Sequence, residues 1–212
     1  MIEEQFDLER LMTTGKLFSD RFEDTSRFVY HGTSTLFADH IETNGFLYPF
    51  NAVSAQDLNA LADSVPAEES VLAEALRRAV TPTRLSFAPI SYAAIEFART
   101  GGGQVVRLYK QGVAAGGSAS PAMQESLGRL EGAEPCVYAV DLHESAELDL
   151  VADTLFILCR SAVPASRVVA KMLIPGDFDA THFKALQLMR PLWSARSVPG
   201  SLMARLSATR GR

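Results

Sequence analysis

The stretch from Phe28 to Phe46 constrains the fold of this chain more than any other. Phe28 to Tyr30 is a short apolar, β-prone run, and His31-Gly32-Thr33 interrupts it with a polar tripeptide whose glycine lets backbone approach a ligand closely. Ser34 or Thr35 can cap a short helix in which Phe37 and Ile41 share a face, and Asn44-Gly45 supplies a left-handed exit. The pattern predicts a strand, a turn and a helix in immediate succession. A histidine at such a strand end sits where mixed folds commonly place functional side chains.

Around this unit the periodicities divide the chain. Residues 1–27 read as a helical lead-in, with Phe6, Leu8, Leu11 and Met12 at helical spacing before Thr13-Thr14-Gly15 breaks the pattern. Residues 47–80 read as a helical insertion: Ser54 caps a helix carrying Leu58, Leu61, Ala62 and Val65, and beyond Pro66 a second helix carries Val71, Leu72, Ala75, Leu76 and Ala79. A second strand-turn-helix unit follows. Leu85 to Ala88 is its strand, Pro89 its stop, and Ser91 caps a helix with Ala94, Ile95 and Ala98 inward. Gly101-Gly102-Gly103 reads as a sharp reversal into a strand over Gln104 to Tyr109, and Gln111 to Pro135, rich in Gly, Ala and Ser, as a loop. Strands are expected at Cys136 to Leu142 and Leu155 to Cys159, then strand, turn at Pro164 and strand over Arg160 to Ile174. From Phe183 onward the chain turns basic, with Lys184, Arg190, Arg196, Arg205, Arg210 and Arg212. Phe183, Leu186, Met189 and Trp193 predict a docked helix before a loose tail.

Composition narrows the function classes. A chain of 212 residues that is 47% hydrophobic can bury a sizeable core. A formal net charge of -5 argues against electrostatic coating of nucleic acid, although the basic tail offers a local patch for an anionic partner. No apolar run approaches the roughly 20 residues that span a bilayer. The acidic start, Met1-Ile2-Glu3-Glu4-Gln5, lacks the features of a secretory signal, and Cys136 and Cys159 lie in apolar runs that suit buried reduced thiols, so a cytoplasmic location is expected. His31, His40, His143 and His182 show no zinc-ligand spacing with the cysteines, and no metal is expected. A Gly-x-Ser-x-Gly hydrolase elbow is absent.

Tyr30-His31-Gly32-Thr33, followed by a helix ending in Ile41 and Gly45-Phe46, resembles the opening motif of ADP-ribosyltransferases of the diphtheria-toxin and poly(ADP-ribose) polymerase type. The resemblance implies an α+β fold with a split, mainly antiparallel sheet and flanking helices around a cleft for NAD, which is consumed as substrate. It implies that His31 hydrogen-bonds the adenosine ribose and that the Gly32 backbone holds the nicotinamide amide, with Tyr30 and Thr33 beside them. The second unit resembles the family's second motif, in which two aromatics eleven positions apart clamp the nicotinamide. Here the interval joins Ser86 to Phe97, so the first ring is a serine, and Phe87 or Tyr92 is the neighbouring aromatic expected to compensate. At the third motif the family's glutamate is absent. Asp153 and Thr154 stand at that place, where a carboxylate would stabilise the oxocarbenium-like charge.

The implied activity is transfer of ADP-ribose from NAD to a macromolecular acceptor, protein or nucleic acid, by a glycosyltransferase whose relatives include toxins and effectors. Two alternatives stay open. One is an RNA 2'-phosphotransferase, which shares the fold and opening, does not need the glutamate and needs arginines around the cleft, for which Arg84, Arg107 and Arg160 are the candidates. The other is a catalytically inactive member that binds NAD or a partner protein.

Overall fold

The apolar run at Phe28 extends through the polar tripeptide into a seven-residue strand, β2 (Phe28–Ser34), because its antiparallel partner β4 (Pro135–Asp141) pairs it along its whole length. This computed structural model describes residues 1–47, 53–79, 84–99, 103–143, 145, 147–152 and 156–178. Among the described residues the fold is mixed α+β, with two sheets.

The larger sheet has the order β1-β7-β4-β2, where β1 is Ile2–Glu4 and β7 is Val168–Leu173; β1 runs parallel to β7, and the other pairs are antiparallel. The smaller sheet, β3 (Leu85–Phe87), β6 (Ile157–Cys159) and β5 (Leu150–Ala152), is wholly antiparallel. Among the described residues one bridge joins them: the Tyr30 and Ala88 backbones exchange hydrogen bonds of 2.9 and 2.7 Å.

Among the described residues, three apolar clusters organise the helices. On one face of the larger sheet, Leu11 of α1 (Leu8–Thr14) joins Leu17, Phe18, Phe22, Tyr30 and the inner face of α5 (Ser91–Arg99). On the other face, Ile41 of α2 (Ala38–Asn44) and Phe46 pack with Val29, Tyr138, Phe87 and the inward side of the smaller sheet. The third cluster belongs to helices α3 (Ala55–Ser64), α4 (Ser70–Ala79), α6 (Gly103–Ala114) and α7 (Pro121–Gly132), which bury Leu58, Leu61, Leu76, Tyr109 and Met123 among themselves.

Several local expectations change on folding. Residues 1–27 contribute more than a helix, since β1 extends the larger sheet and Leu11, Leu17, Phe18 and Phe22 enter its core. Gln104 to Tyr109 lies inside helix α6, not in a strand: Leu108 and Tyr109 are buried in the cluster formed with α3 and α4, Val105 packs against it, and this packing overrides the β-branched Val105-Val106 pair. The expected loop from Gln111 to Pro135 holds the end of α6 and all of α7. Ser120 caps α7 by accepting from the Met123 amide, and Pro121 takes its first turn, a start signal hidden in Gly- and Ala-rich surroundings. Arg160 to Val163 is not a strand but a connection held by one bridge from Val163 to Phe46, and the turn after Pro164 is a short 3-10 helix, Ala165–Arg167. The expected C-terminal helix and basic tail lie outside the described residues.

Candidate functional site

The two sequence units meet at His31. Its Nδ1 lies 3.0 Å from the backbone carbonyl oxygen of Ser86. A carbonyl can only accept, so Nδ1 carries the proton and Nε2 is left with its lone pair. The ring is wedged against Phe46 at 4.7 Å and Phe87 at 5.6 Å between centroids, both edge-on. Burial pushes the imidazole below the ordinary histidine range, against a smaller upward pull from the Ser86 carbonyl. His31 is therefore a fixed, neutral hydrogen-bond acceptor at neutral pH.

Why the ring stays put follows from local structure. The Gly45 amide closes α2 on the Ile41 carbonyl, with φ at 78°, in the left-handed region that favours glycine. Phe46 then exchanges hydrogen bonds of 2.8 and 2.9 Å with Val163, which fixes its ring between His31 and Tyr138. Ser34 provides the cap between strand and helix, accepting from the Leu36 amide, while Thr35 accepts from the Glu134 amide.

Gly32 lies directly under α5. A Cβ there would fall 1.8 Å from the Ala94 carbonyl oxygen and 2.6 Å from the Ala98 amide nitrogen, so only glycine lets the helix backbone rest on the strand. That contact places the C-terminal half of α5, and with it Phe97, beside the strand that carries His31.

The remaining candidates divide by exposure. Tyr30 is fully buried; it stacks on Phe18 and its hydroxyl donates to the Phe22 carbonyl at 2.7 Å. Phe87 is fully buried and Tyr92 nearly so. These three side chains belong to the core, Phe87 edge-on to His31, and Tyr30 and Tyr92 in the cluster on the other face of the larger sheet. Thr33 is also buried. Ser86 is exposed, Phe97 half-buried, and Asp153 and Thr154 lie outside the described residues.

Two residues near the site carried no functional assignment from the sequence. Phe46 packs on His31, and Phe156 meets Phe97 edge-to-face, with centroids 5.4 Å apart and ring planes at 78°. Phe46 follows the Gly45 helix exit, and that position was its only signal. Phe156 lay within an apolar run that reads simply as strand.

Other chemistry is sparse. Among the described residues, no group of three or more His, Cys, Asp and Glu could hold a metal ion, and no helix is long and apolar enough to cross a membrane. Cys136 and Cys159 are free and buried, and burial lifts the Cys136 thiol to about 12, far from a reactive thiolate. Comparison with protein-family models, curated proteins and solved structures finds no match for this chain.

Proposed function

We propose that the chain is an ADP-ribosyltransferase-like protein that binds NAD between β2, β3 and α5 and transfers its ADP-ribose to a macromolecular acceptor. The observation that carries this reading is the His31 Nδ1 to Ser86 carbonyl hydrogen bond, which ties the two motif-bearing units together and turns the Nε2 lone pair into an acceptor suited to a sugar hydroxyl. The close seat of α5 on Gly32 and the half-buried Phe97 ring support a planar base bound next to that sugar.

In the proposed reaction the glycosidic bond between nicotinamide nitrogen and ribose carbon breaks, and its electron pair leaves with the nitrogen. The acceptor nucleophile forms the new bond to that carbon and gives its proton to solvent. His31 orients the adenosine ribose and moves no proton. Asp153 or Thr154 stands where the oxocarbenium-like charge grows, an assignment that rests on the resemblance alone.

One arrangement favours the RNA 2'-phosphotransferase reading. Leu85 pairs with Cys159 across β3 and β6, so Arg84 and Arg160 are the next opposed positions; both are exposed, and like charges set opposite each other suit an anionic ligand. Arg107 belongs to α6, within the separate helical cluster.

Nicotinamide release separates the readings. Purified protein is incubated with NAD, with and without cell lysate, beside a His31→Ala variant and a 2'-phosphorylated RNA. Labelled macromolecular product that requires His31 supports transfer. Loss of the RNA 2'-phosphate points to the second enzyme, and NAD binding without release to an inactive member. No binding of NAD at all removes the proposal.

A further inference from the structure

We propose that the cleft between β1 and the start of α1 is a docking surface for the chain's own basic segment, residues 183–212, which its carboxylates and exposed apolar side chains bind.

The cleft lies at the open end of the larger sheet. Glu4 closes β1, Phe6, Asp7 and Leu8 lead into α1, and with Arg10 they line a cleft of about 550 Å³. β1 is the outermost strand, and among the described residues no strand pairs with its outer edge. Edges of this kind are commonly covered by another part of the chain. The surroundings are both acidic and apolar. Glu3, Asp7 and Glu9 are exposed, and so are Met1, Ile2 and Leu8, at 54%, 42% and 38%. Some of these carboxylates are already engaged: Glu4 holds Ser19 and Arg21, and Glu3 lies 3.8 Å from Lys171. Asp7 caps α1 by accepting from the Arg10 amide, but among the described residues neither Asp7 nor Glu9 has a salt-bridge partner. The Arg10 guanidinium is turned away to the Leu17 carbonyl, to which Nη2 donates at 2.8 Å.

Chain continuity and charge select the occupant. Phe178 is buried against Phe6, with ring centroids 5.6 Å apart and planes at 69°, so the chain beyond it starts beside the cleft. Residues 180–212 carry Lys184 and five arginines and no aspartate or glutamate, in a chain whose formal net charge is -5. Leu186, Met189 and Trp193 stand among those cations and match the exposed Ile2 and Leu8. Lys184 follows Phe178 by six residues, a stretch that spans at most about 20 Å, so its ammonium reaches the cleft without help from a second copy. Exposed ion pairs are weak one by one. A tethered partner acts at high effective concentration, which lets a few of them hold it.

Trp193 is the chain's only tryptophan, so its fluorescence in the full chain reads the contact directly. At low salt its emission is expected to lie to the blue of free tryptophan and to be shielded from acrylamide. Asp7→Asn keeps the helix cap and Glu9→Gln keeps the side-chain size, so the double variant removes charge with little else changed. It is expected to raise the acrylamide quenching constant about threefold, as is about 0.5 M salt with the parent. Arg190→Gln with Arg196→Gln is expected to do the same from the other side, and serves if the first variant does not fold. A zero-length carbodiimide cross-link, which joins an amine to a carboxylate only where they touch, is expected between Lys184 and Asp7 or Glu9 within one chain. Absence of that intrachain product overturns the proposal, including its replacement by a two-chain product that would give the cleft to a second copy. Equal shielding of Trp193 in the parent and both variants overturns it too, since the segment then docks elsewhere, as does full exposure in the parent. Neither readout involves NAD, so the outcome is independent of the nucleotide reading.

Discussion

Gly32 and Ala94 are in backbone contact: a β-carbon on the glycine would sit 1.8 Å from the alanine's carbonyl oxygen, with the Ala98 amide 2.6 Å away. Both obstacles are helix backbone, which cannot rotate aside as a side chain can. Gly32→Ala must therefore lift α5 from β2 or tilt it. The expected cost is at the upper end of the roughly 1–3 kcal/mol typical of overpacking, or about 6–12 °C in Tm for a domain of this size. A variant melting within about 2 °C of the parent would contradict the contact.

His31 should remain neutral, with its proton on Nδ1, below the pH at which an ordinary histidine takes up charge. The folded state disfavours the imidazolium, so the unfolded chain binds a proton first as pH falls. Stability held by this group is present above the ordinary value of 6.5 and is lost as pH drops below it. Nitrogen-detected NMR of the imidazole reads both tautomer and titration. A midpoint at or above 6.5, or a proton on Nε2, would remove the basis for treating the ring as an acceptor.

Glu23 makes the opposite demand. Its carboxyl is buried among the Phe18 amide, the Ser91 hydroxyl at the start of α5 and the Tyr30 hydroxyl, and burial raises it from 4.5 to about 7 despite those hydrogen bonds. Between these two values the folded protein keeps a proton that the unfolded chain has released. Stability should therefore fall by roughly 3 kcal/mol in total as pH rises from 4.5 to 7. Glu23→Gln, which stays neutral, should flatten that part of a denaturation-versus-pH curve. An unchanged slope would show that Glu23 is not its source.

Lys171 fastens three elements. Its ammonium reaches Glu42 of α2 at 3.0 Å and Glu3 of β1 at 3.8 Å, and the Tyr138 hydroxyl donates to the same Glu42 oxygen at 3.2 Å. The lysine side chain is only 13% exposed, which places this network between the weak surface pair and the buried one. Lys171→Met should cost roughly 1–3 kcal/mol, and a double-mutant cycle with Glu42→Gln should return a coupling of about 1 kcal/mol. Strict additivity would show that the ion pair contributes nothing.

The first motif was legible because its signals are local. Gly45 closes α2, Ser34 caps the turn before it, and Phe28 to Tyr30 runs as strand, all features set by a residue's own backbone preference and its immediate neighbours. The same holds for Ser54 at the start of α3 and for the apolar stripe of α4. Helices α6 and α7 depart from the pattern of their own residues, because local preference is weak there. Val105-Val106 favours a strand in isolation, and only the waiting surface of Leu61 and Leu76 makes a helix the better burial.

What the amino-acid sequence determined by itself, then, is that a strand leads into a helix at His31 and again at Ser86, because capping, glycine exits and hydrophobic spacing act over a few residues, whereas pairing with β4 carries the first strand through the break expected at His31-Gly32-Thr33. Contacts between residues far apart in the chain carry no such local mark. The proton on Nδ1 depends on the Ser86 carbonyl, 55 positions away; the need for glycine at position 32 depends on a helix laid across it; and the ring facing Phe97 is Phe156, the residue just before β6. Tertiary structure alone decided these, since each arises from two surfaces brought together by packing of the sheets and not from the preferences of either segment.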